Sequence, residues 1–148
     1  YSSDDFSEMR NMGMKKAMGE WILYVDTDEQ VTPELASNIR QCVLTSKNEA
    51  AFRIKRKNFY FGSSKKNEWP YVEKLERLFK KDRLEGWYGK LHESPKVKGE
   101  VRELDGYLLH YTHRDLRSML AKPIKWSKVA AELRYRANQP KMTWWRFP

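Results

Sequence analysis

The stretch that most constrains this chain is a five-residue apolar run, Trp21-Ile22-Leu23-Tyr24-Val25, that stops abruptly at Asp26-Thr27-Asp28-Glu29. Aromatic and β-branched residues without alternation suit a strand buried on both faces. The flanks are helical. Upstream, Asp5-Phe6-Ser7-Glu8 has capping-box spacing and Gly19 suits a C′ position, which predicts a helix over about 6–18. Downstream, Thr32-Pro33-Glu34-Leu35 offers an N-cap, an N1 proline and an acidic first turn for a second helix reaching roughly Leu44. Helix, buried strand, acidic turn, helix is the order of a layered α/β sheet.

The middle of the chain changes rhythm. Ala51-Phe52-Arg53-Ile54-Lys55-Arg56 alternates apolar and basic residues as a half-exposed strand does, and Phe59-Tyr60-Phe61-Gly62 leads into a polar turn. Leu75, Leu78 and Phe79 satisfy either a short helix or a strand. Residues 86–95 read as a loop, and residues 101–111, with Gly106-Tyr107-Leu108-Leu109-His110-Tyr111, as a further strand. The last third is an amphipathic basic helix: Leu116, Met119, Leu120, Ile124, Ala130 and Ala131 lie opposite Arg117, Lys122, Lys125 and Lys128, with a kink expected at Pro123.

Charge separates the two parts. Residues 1–113 hold 20 basic and 18 acidic side chains, whereas residues 114–148 hold 9 and 2, so the tail carries most of the formal +9. The expected division is a catalytic-type α/β part over 1–113 and a basic tail over 114–148. With Cys42 as its single cysteine, the chain has no internal disulfide, which fits a reducing cytoplasm. No apolar run approaches the roughly 18 residues of a membrane span, and the N-terminus lacks signal-peptide layout.

Three carboxylates within four residues, at the end of a strand of an open α/β sheet, sit where such sheets bind ligands. Their mutual repulsion is relieved most simply by a hard divalent cation with phosphate oxygens filling its remaining positions. The alternative is a solvated acidic turn capping the helix that begins at Pro33.

Arg10-Asn11-x-Gly13, Ala17-x-Gly19-Glu20-Trp21-Ile22-Leu23, Asp26-Thr27-Asp28-Glu29 and Val31-Thr32-Pro33-Glu34-Leu35 resemble the "RN-x-G…A-x-GDWIL-x-x-DADE-x-VTPEL" stretch of family 2 inverting glycosyltransferases. The likeness is greatest to the branch of the lipopolysaccharide-core β-glucosyltransferases. It continues through Arg56-x-Asn58-Phe59, Trp69, Arg77-Leu78-Phe79, Leu91-His92-Glu93 and Leu109-His110-Tyr111. The resemblance implies a partial GT-A fold, a Rossmann-like mixed sheet flanked by helices. It also implies a sugar donor held through its diphosphate by Mg²⁺ or Mn²⁺, in bacterial envelope polysaccharide synthesis. By the family pattern Asp28 contacts the metal, Asp26 the metal and the donor's ribose or sugar side, and Glu29 stands behind them. Arg10 and Asn11 match the family's donor-side pair, and Trp69 falls among the substrate-binding positions. In the family a βαβ unit cradling the base precedes the "RN-x-G" helix. This chain opens at Tyr1 without one, so it is expected to be a fragment that binds nucleotide weakly.

Inverting transfer needs a base on the acceptor hydroxyl, and Glu93 is the candidate. His92 beside it could orient the acceptor, bind phosphate or act as the base itself. His110, inside an apolar strand, is either a hydrogen-bonded core residue or a group reaching the metal or the departing diphosphate. His113 and Arg114 could do the same. Arg77 and Lys74 could attract diphosphate, or form a solvated basic edge.

The tail ends Trp144-Trp145-Arg146-Phe147-Pro148, and its basic and aromatic character suits docking on the inner face of the cytoplasmic membrane, near a saccharide or lipid-linked acceptor. Binding of single-stranded nucleic acid is the competing use of such a tail. It ranks lower and is not expected as a partner, because it leaves Asp26, Asp28 and Glu29 without a role. A metal-dependent phosphatase or nuclease is a third use of the same acidic turn.

Overall fold

A computed structural model describes residues 5–60, 72–89 and 93–112, together with residues 127, 131, 132, 135 and 136. The chain divides into two compact units, Tyr1–Thr112 and His113–Pro148. In the second, the described residues are helical, and Arg136 pairs with Glu132 one turn earlier at 2.5 Å. The Pro123 kink and the terminal aromatic cluster lie outside the described residues. Among those residues no helix is long and apolar enough to cross a membrane.

The first unit is a mixed α/β layer. Its elements are α1 (Phe6–Lys16), β1 (Trp21–Leu23), β2 (Glu29–Val31), α2 (Pro33–Thr45), β3 (Glu49–Tyr60), β4 (Glu73–Lys80), β5 (Leu84–Tyr88), β6 (Ser94–Val97) and β7 (Glu100–Thr112), with a 3-10 turn at Lys81–Arg83. Five strands form one sheet in the order β1-β4-β3-β7-β2, and β5 pairs with β6 in a separate antiparallel hairpin. Within the large sheet only β3 and β7 run parallel.

Both helices begin as their sequence chemistry dictates. Asp5 Oδ1 accepts from the Ser7 and Glu8 amides at 3.0 and 3.3 Å, and Thr32 Oγ1 accepts from Leu35 N–H at 3.3 Å with Pro33 at the first helical position. α1 ends earlier than Gly19 suggests. Ala17 turns extended, its carbonyl accepts from Lys81 Nζ at 2.5 Å, and a lysine therefore takes the place of a left-handed glycine cap.

The apolar run also differs from expectation. Only three of its residues form a strand, and β1 lies at the edge of the sheet against β4. Its side chains still point to both faces: Trp21 and Leu23 pack with one core and Tyr24 with the other, while Ile22 alone of the run is buried. The ambiguous Leu75, Leu78 and Phe79 are strand, and the segment 86–95 expected as a loop contains the end of β5 and the start of β6.

Two cores sandwich the sheet. On one face Leu35 and Cys42 of α2 pack on Phe52, Ile54, Leu78 and Leu108. On the other, Ala51 and Phe79 meet Leu84 and Trp87 of the hairpin, with Met14 of α1 at the margin. Phe79, Trp87 and Tyr24 form a cluster of edge-on ring contacts 5.0–5.7 Å apart. α2 lies so close to β7 that a Cβ at Gly106, whose φ is +102°, would fall 2.8 Å from the Leu35 Cα.

Connectivity makes the sheet curl. β1 and β2 occupy opposite edges yet are joined by residues 24–28 alone. A flat five-stranded sheet is about 19 Å across. Six Cα steps reach about 20 Å only when fully extended. This connection is not extended, because Glu29 N–H closes a turn onto the Asp26 carbonyl at 2.9 Å. The two edges must therefore approach, and the acidic turn passes over the ends of β4, β3 and β7.

Candidate functional site

Each strand the turn crosses supplies a side chain to it, an arginine from β4 and β3 and a histidine from β7. From β4, Arg77 Nη2 donates to Asp26 Oδ2 at 2.7 Å and to Glu29 Oε1 at 2.9 Å. From β3, Arg56 Nη1 donates to Glu29 Oε1 at 3.2 Å, and its other donors pair with Glu73. From β7, His110 Nε2 lies 3.3 Å from Asp28 Oδ2. From α1, Arg10 Nη2 donates to Asp26 Oδ1 at 2.9 Å and Arg10 Nε to Glu93 Oε1 at 3.2 Å. The result is an alternating chain of charges, Glu93-Arg10-Asp26-Arg77-Glu29-Arg56-Glu73.

Glu29 is its anchor. The carboxylate is fully buried, and Oε2 accepts the Asp26 N–H at 3.0 Å, so one side chain fixes both arginines and the turn backbone. Arg77, 5% exposed, reaches it through an irregularity: Phe52 pairs with Leu78 and Arg53 with Glu76, which leaves Arg77 as the extra residue of a β-bulge. Bulges re-aim a side chain in this way. The Arg77 carbonyl accepts from Tyr24 N–H at 2.9 Å, so the same residue holds both ends of the approach to the turn.

The arginines face a cavity of about 620 Å³ between the sheet, α1 and the hairpin. Its wall holds the cations Arg10, Arg53, Arg56, Lys74 and Arg77 against the acids Asp26, Glu76 and Glu93. Behind the wall, Glu29, Glu73 and Glu103 pair with Arg77, Arg56 and Lys74, so an anionic occupant would have to compete with acids already in place. Arg77 Nε is buried there without a hydrogen-bond partner among the described residues. A buried donor without a partner is a cost the fold bears beside the cavity. Arg10 is held over the Trp87 ring at 4.7 Å and over Tyr24 at 5.6 Å.

Burial pushes the Asp26 carboxyl up, but Arg77 and Arg10 beside it outweigh that and leave its pKa below the ordinary 3.8. A folded pKa below the unfolded one contributes stability that is complete above the unfolded value and is lost as pH falls through the folded value. Asp26→Asn is therefore expected to flatten the decline of the urea midpoint below about pH 4. Equal acid slopes in the two proteins would contradict the double arginine pairing.

The residues singled out by sequence divide into groups. Arg10, Asp26, Arg77, Lys74 and Glu93 meet at the cavity, although Lys74 is paired with Glu103 at 2.6 Å. Asp28 and His110 meet each other. Asn11 does not face the cavity with Arg10: its Nδ2 donates to the Trp87 carbonyl at 2.9 Å and its Oδ1 accepts the Trp87 N–H at 2.8 Å. Its amide thus completes the edge of β5, and a Cβ at Gly86 would press on it at 3.2 Å. Glu93 pairs with Arg10 of α1 at 3.2 Å. His92, Trp69, His113 and Arg114 lie outside the described residues. Sequence reasoning missed Arg56, Trp87 and the Asn58 that meets His110 Nδ1 at 2.7 Å. Arg56 had a signal, since it continues the apolar face of Phe52 and Ile54 at every second position.

The turn's acids differ in what they offer a cation. Both oxygens of Asp26 and both of Glu29 are engaged by arginines or by backbone. The three carboxylates do not converge, and among the described residues no three acidic, histidine or cysteine side chains form a metal-binding group. The repulsion between Asp26 and Glu29 is relieved by Arg10, Arg77 and Arg56. Asp28 Oδ2 lies apart from these arginines, 3.3 Å from His110 Nε2. No protein-family model matches the chain.

Proposed function

We propose that this chain carries the diphosphate-binding and base end of a GT-A inverting glycosyltransferase, moving a sugar from a nucleoside diphosphate to a saccharide or lipid-linked acceptor. One observation carries the reading: Arg10 stands at the wall of an arginine-lined cavity with an acid of the turn on one side and Glu93 on the other. In this reading Arg10 and Arg77 take up donor phosphate charge. Glu93 accepts the proton of the acceptor hydroxyl as that oxygen bonds to the anomeric carbon, and the bond to the diphosphate breaks with its electron pair leaving on the phosphate oxygen. Asp28 and His110 would hold the Mg²⁺ or Mn²⁺, which when bound supplies positive charge beside the leaving group. The basic, aromatic tail would bring the site to a membrane-borne acceptor.

Inorganic pyrophosphate tests the site without calling on a base-binding region. It is expected to bind in the presence of Mn²⁺, and Asp28→Ala to weaken that binding about tenfold, a loss of the size seen when metal sites lose support. The two proteins should melt alike. Pyrophosphate affinity indifferent to both Mn²⁺ and Asp28→Ala, measured by calorimetry, would overturn the assignment.

A further inference from the structure

We propose that Asn11 is a positioning residue: by clamping the backbone of Trp87 it sets the roll of α1 and so delivers Arg10 to its place between Asp26 and Glu93. The use of that place rests on the reading of Arg10 as a phosphate contact beside the base. α1 is not docked by burial, since none of its residues is buried and Met14 only meets the margin of one core. Apolar contact of that kind has no direction and lets a helix roll. Tyr24 O–H donates to the Arg10 carbonyl at 3.1 Å and Lys81 Nζ to the Ala17 carbonyl at 2.5 Å. Helix carbonyls point along the axis, so these two bonds set where α1 lies and not how it is turned. Asn11 acts from the flank. Its Nδ2 donates to the Trp87 carbonyl at 2.9 Å and its Oδ1 accepts the Trp87 N–H at 2.8 Å, as a neighbouring strand would.

What Asn11 grips is itself immobile. Trp87 is buried, with its ring edge-on to Phe79 at 5.6 Å and to Tyr24 at 5.0 Å. It stands opposite Pro95, which has no N–H to give, and turns its own N–H and carbonyl to the other edge of β5, where Asn11 meets both. Gly86 leaves room for the amide, because a Cβ there would lie 3.2 Å from Asn11 Oδ1. Arg10 is the neighbouring residue of the helix, about 100° around its axis. Its guanidinium lies over the same indole, 4.7 Å from the centroid. One residue of β5 therefore holds Asn11 by its backbone and Arg10 by its ring. With the roll fixed, Arg10 Nη2 meets Asp26 and Arg10 Nε meets Glu93. The clamp has to donate and accept at once, which an amide does and a carboxylate does not.

Nitrogen-edited NMR of the arginine side chains reads the placement directly. The Arg10 Nε–H, bonded to Glu93, should give a slowly exchanging resonance, and so should the Arg56 Nε–H, bonded to Glu73 at 2.9 Å at the far end of the charge chain. Asn11→Ala and Asn11→Asp should each lose the Arg10 signal and keep that of Arg56. Alanine favours the helix, so the first variant removes the clamp without weakening α1. Aspartate keeps the shape and the acceptor but, ionised, has no donor for the Trp87 carbonyl. The affinity for pyrophosphate in the presence of Mn²⁺ should fall about tenfold in both, as when a charged hydrogen bond is lost. A purely structural asparagine would shift the melting temperature and leave the Arg10 signal in place. The proposal falls if either variant keeps that signal, if the Arg56 signal disappears with it, or if pyrophosphate bound by the parent is bound as tightly by both variants. A parent that binds no pyrophosphate would sink the transferase reading, and the two arginine signals would still decide this one.

Discussion

Arg77→Met is expected to lower the unfolding free energy by about 3–5 kcal/mol, the range for breaking a buried ion pair from one side. The fully buried Glu29 carboxylate would retain Arg56 but lose its 2.9 Å bond to Arg77, and Asp26 would lose a 2.7 Å bond. Methionine fills much of the arginine stem's volume, so the loss reports on charge and not on a cavity. Urea unfolding with an unchanged m-value would measure it. A loss below about 1 kcal/mol would show that Glu29 is satisfied without Arg77, and would remove the anchor from the charge chain.

Gly106→Val should destabilise by about 3 kcal/mol or more, from overpacking together with a backbone conformation that β-branched residues avoid. The added Cβ would lie 2.8 Å from the Cα and Cβ of Leu35 and 2.9 Å from its nitrogen. Leu35 is wholly buried, and its backbone belongs to the first turn of α2, held by the Thr32 cap. Neither the helix nor the strand can yield cheaply. Thermal melts would read the loss, and a valine variant as stable as the parent would mean that α2 is free to ride away from the sheet.

What was legible in the sequence was what is local. Asp5 and Thr32 announced their helices because an N-cap works within three residues, and the long alternating strand around Ile54 declared itself by period. β5 and β6 stayed hidden because Gly86, Gly89 and Pro95 punctuate a segment too short for its own rhythm. The edge position of β1 was equally invisible, since an apolar run at an edge packed on both faces looks the same as one in the middle.

The site divides in the same way. The acids of the turn stand together in sequence and drew notice as a group. Their partners come from elsewhere: Arg77 through a bulge that no pattern encodes, Arg56 from 27 residues away and Arg10 from a helix where it attracted no attention on its own. The expectation that three adjacent carboxylates would share one ion treated neighbours in sequence as neighbours in space. The turn instead distributes them over three strands.

The short crossing from β1 to β2 has a consequence for how binding and folding are coupled. Residues 24–28 act as a drawstring across the mouth of the curled sheet, and the guanidinium groups that pull it tight are the ones an anion would compete for. A ligand that claims Arg77 or Arg10 loosens a fastening of the fold as it binds, and its net affinity is the gain at the ligand less the contacts surrendered by the turn.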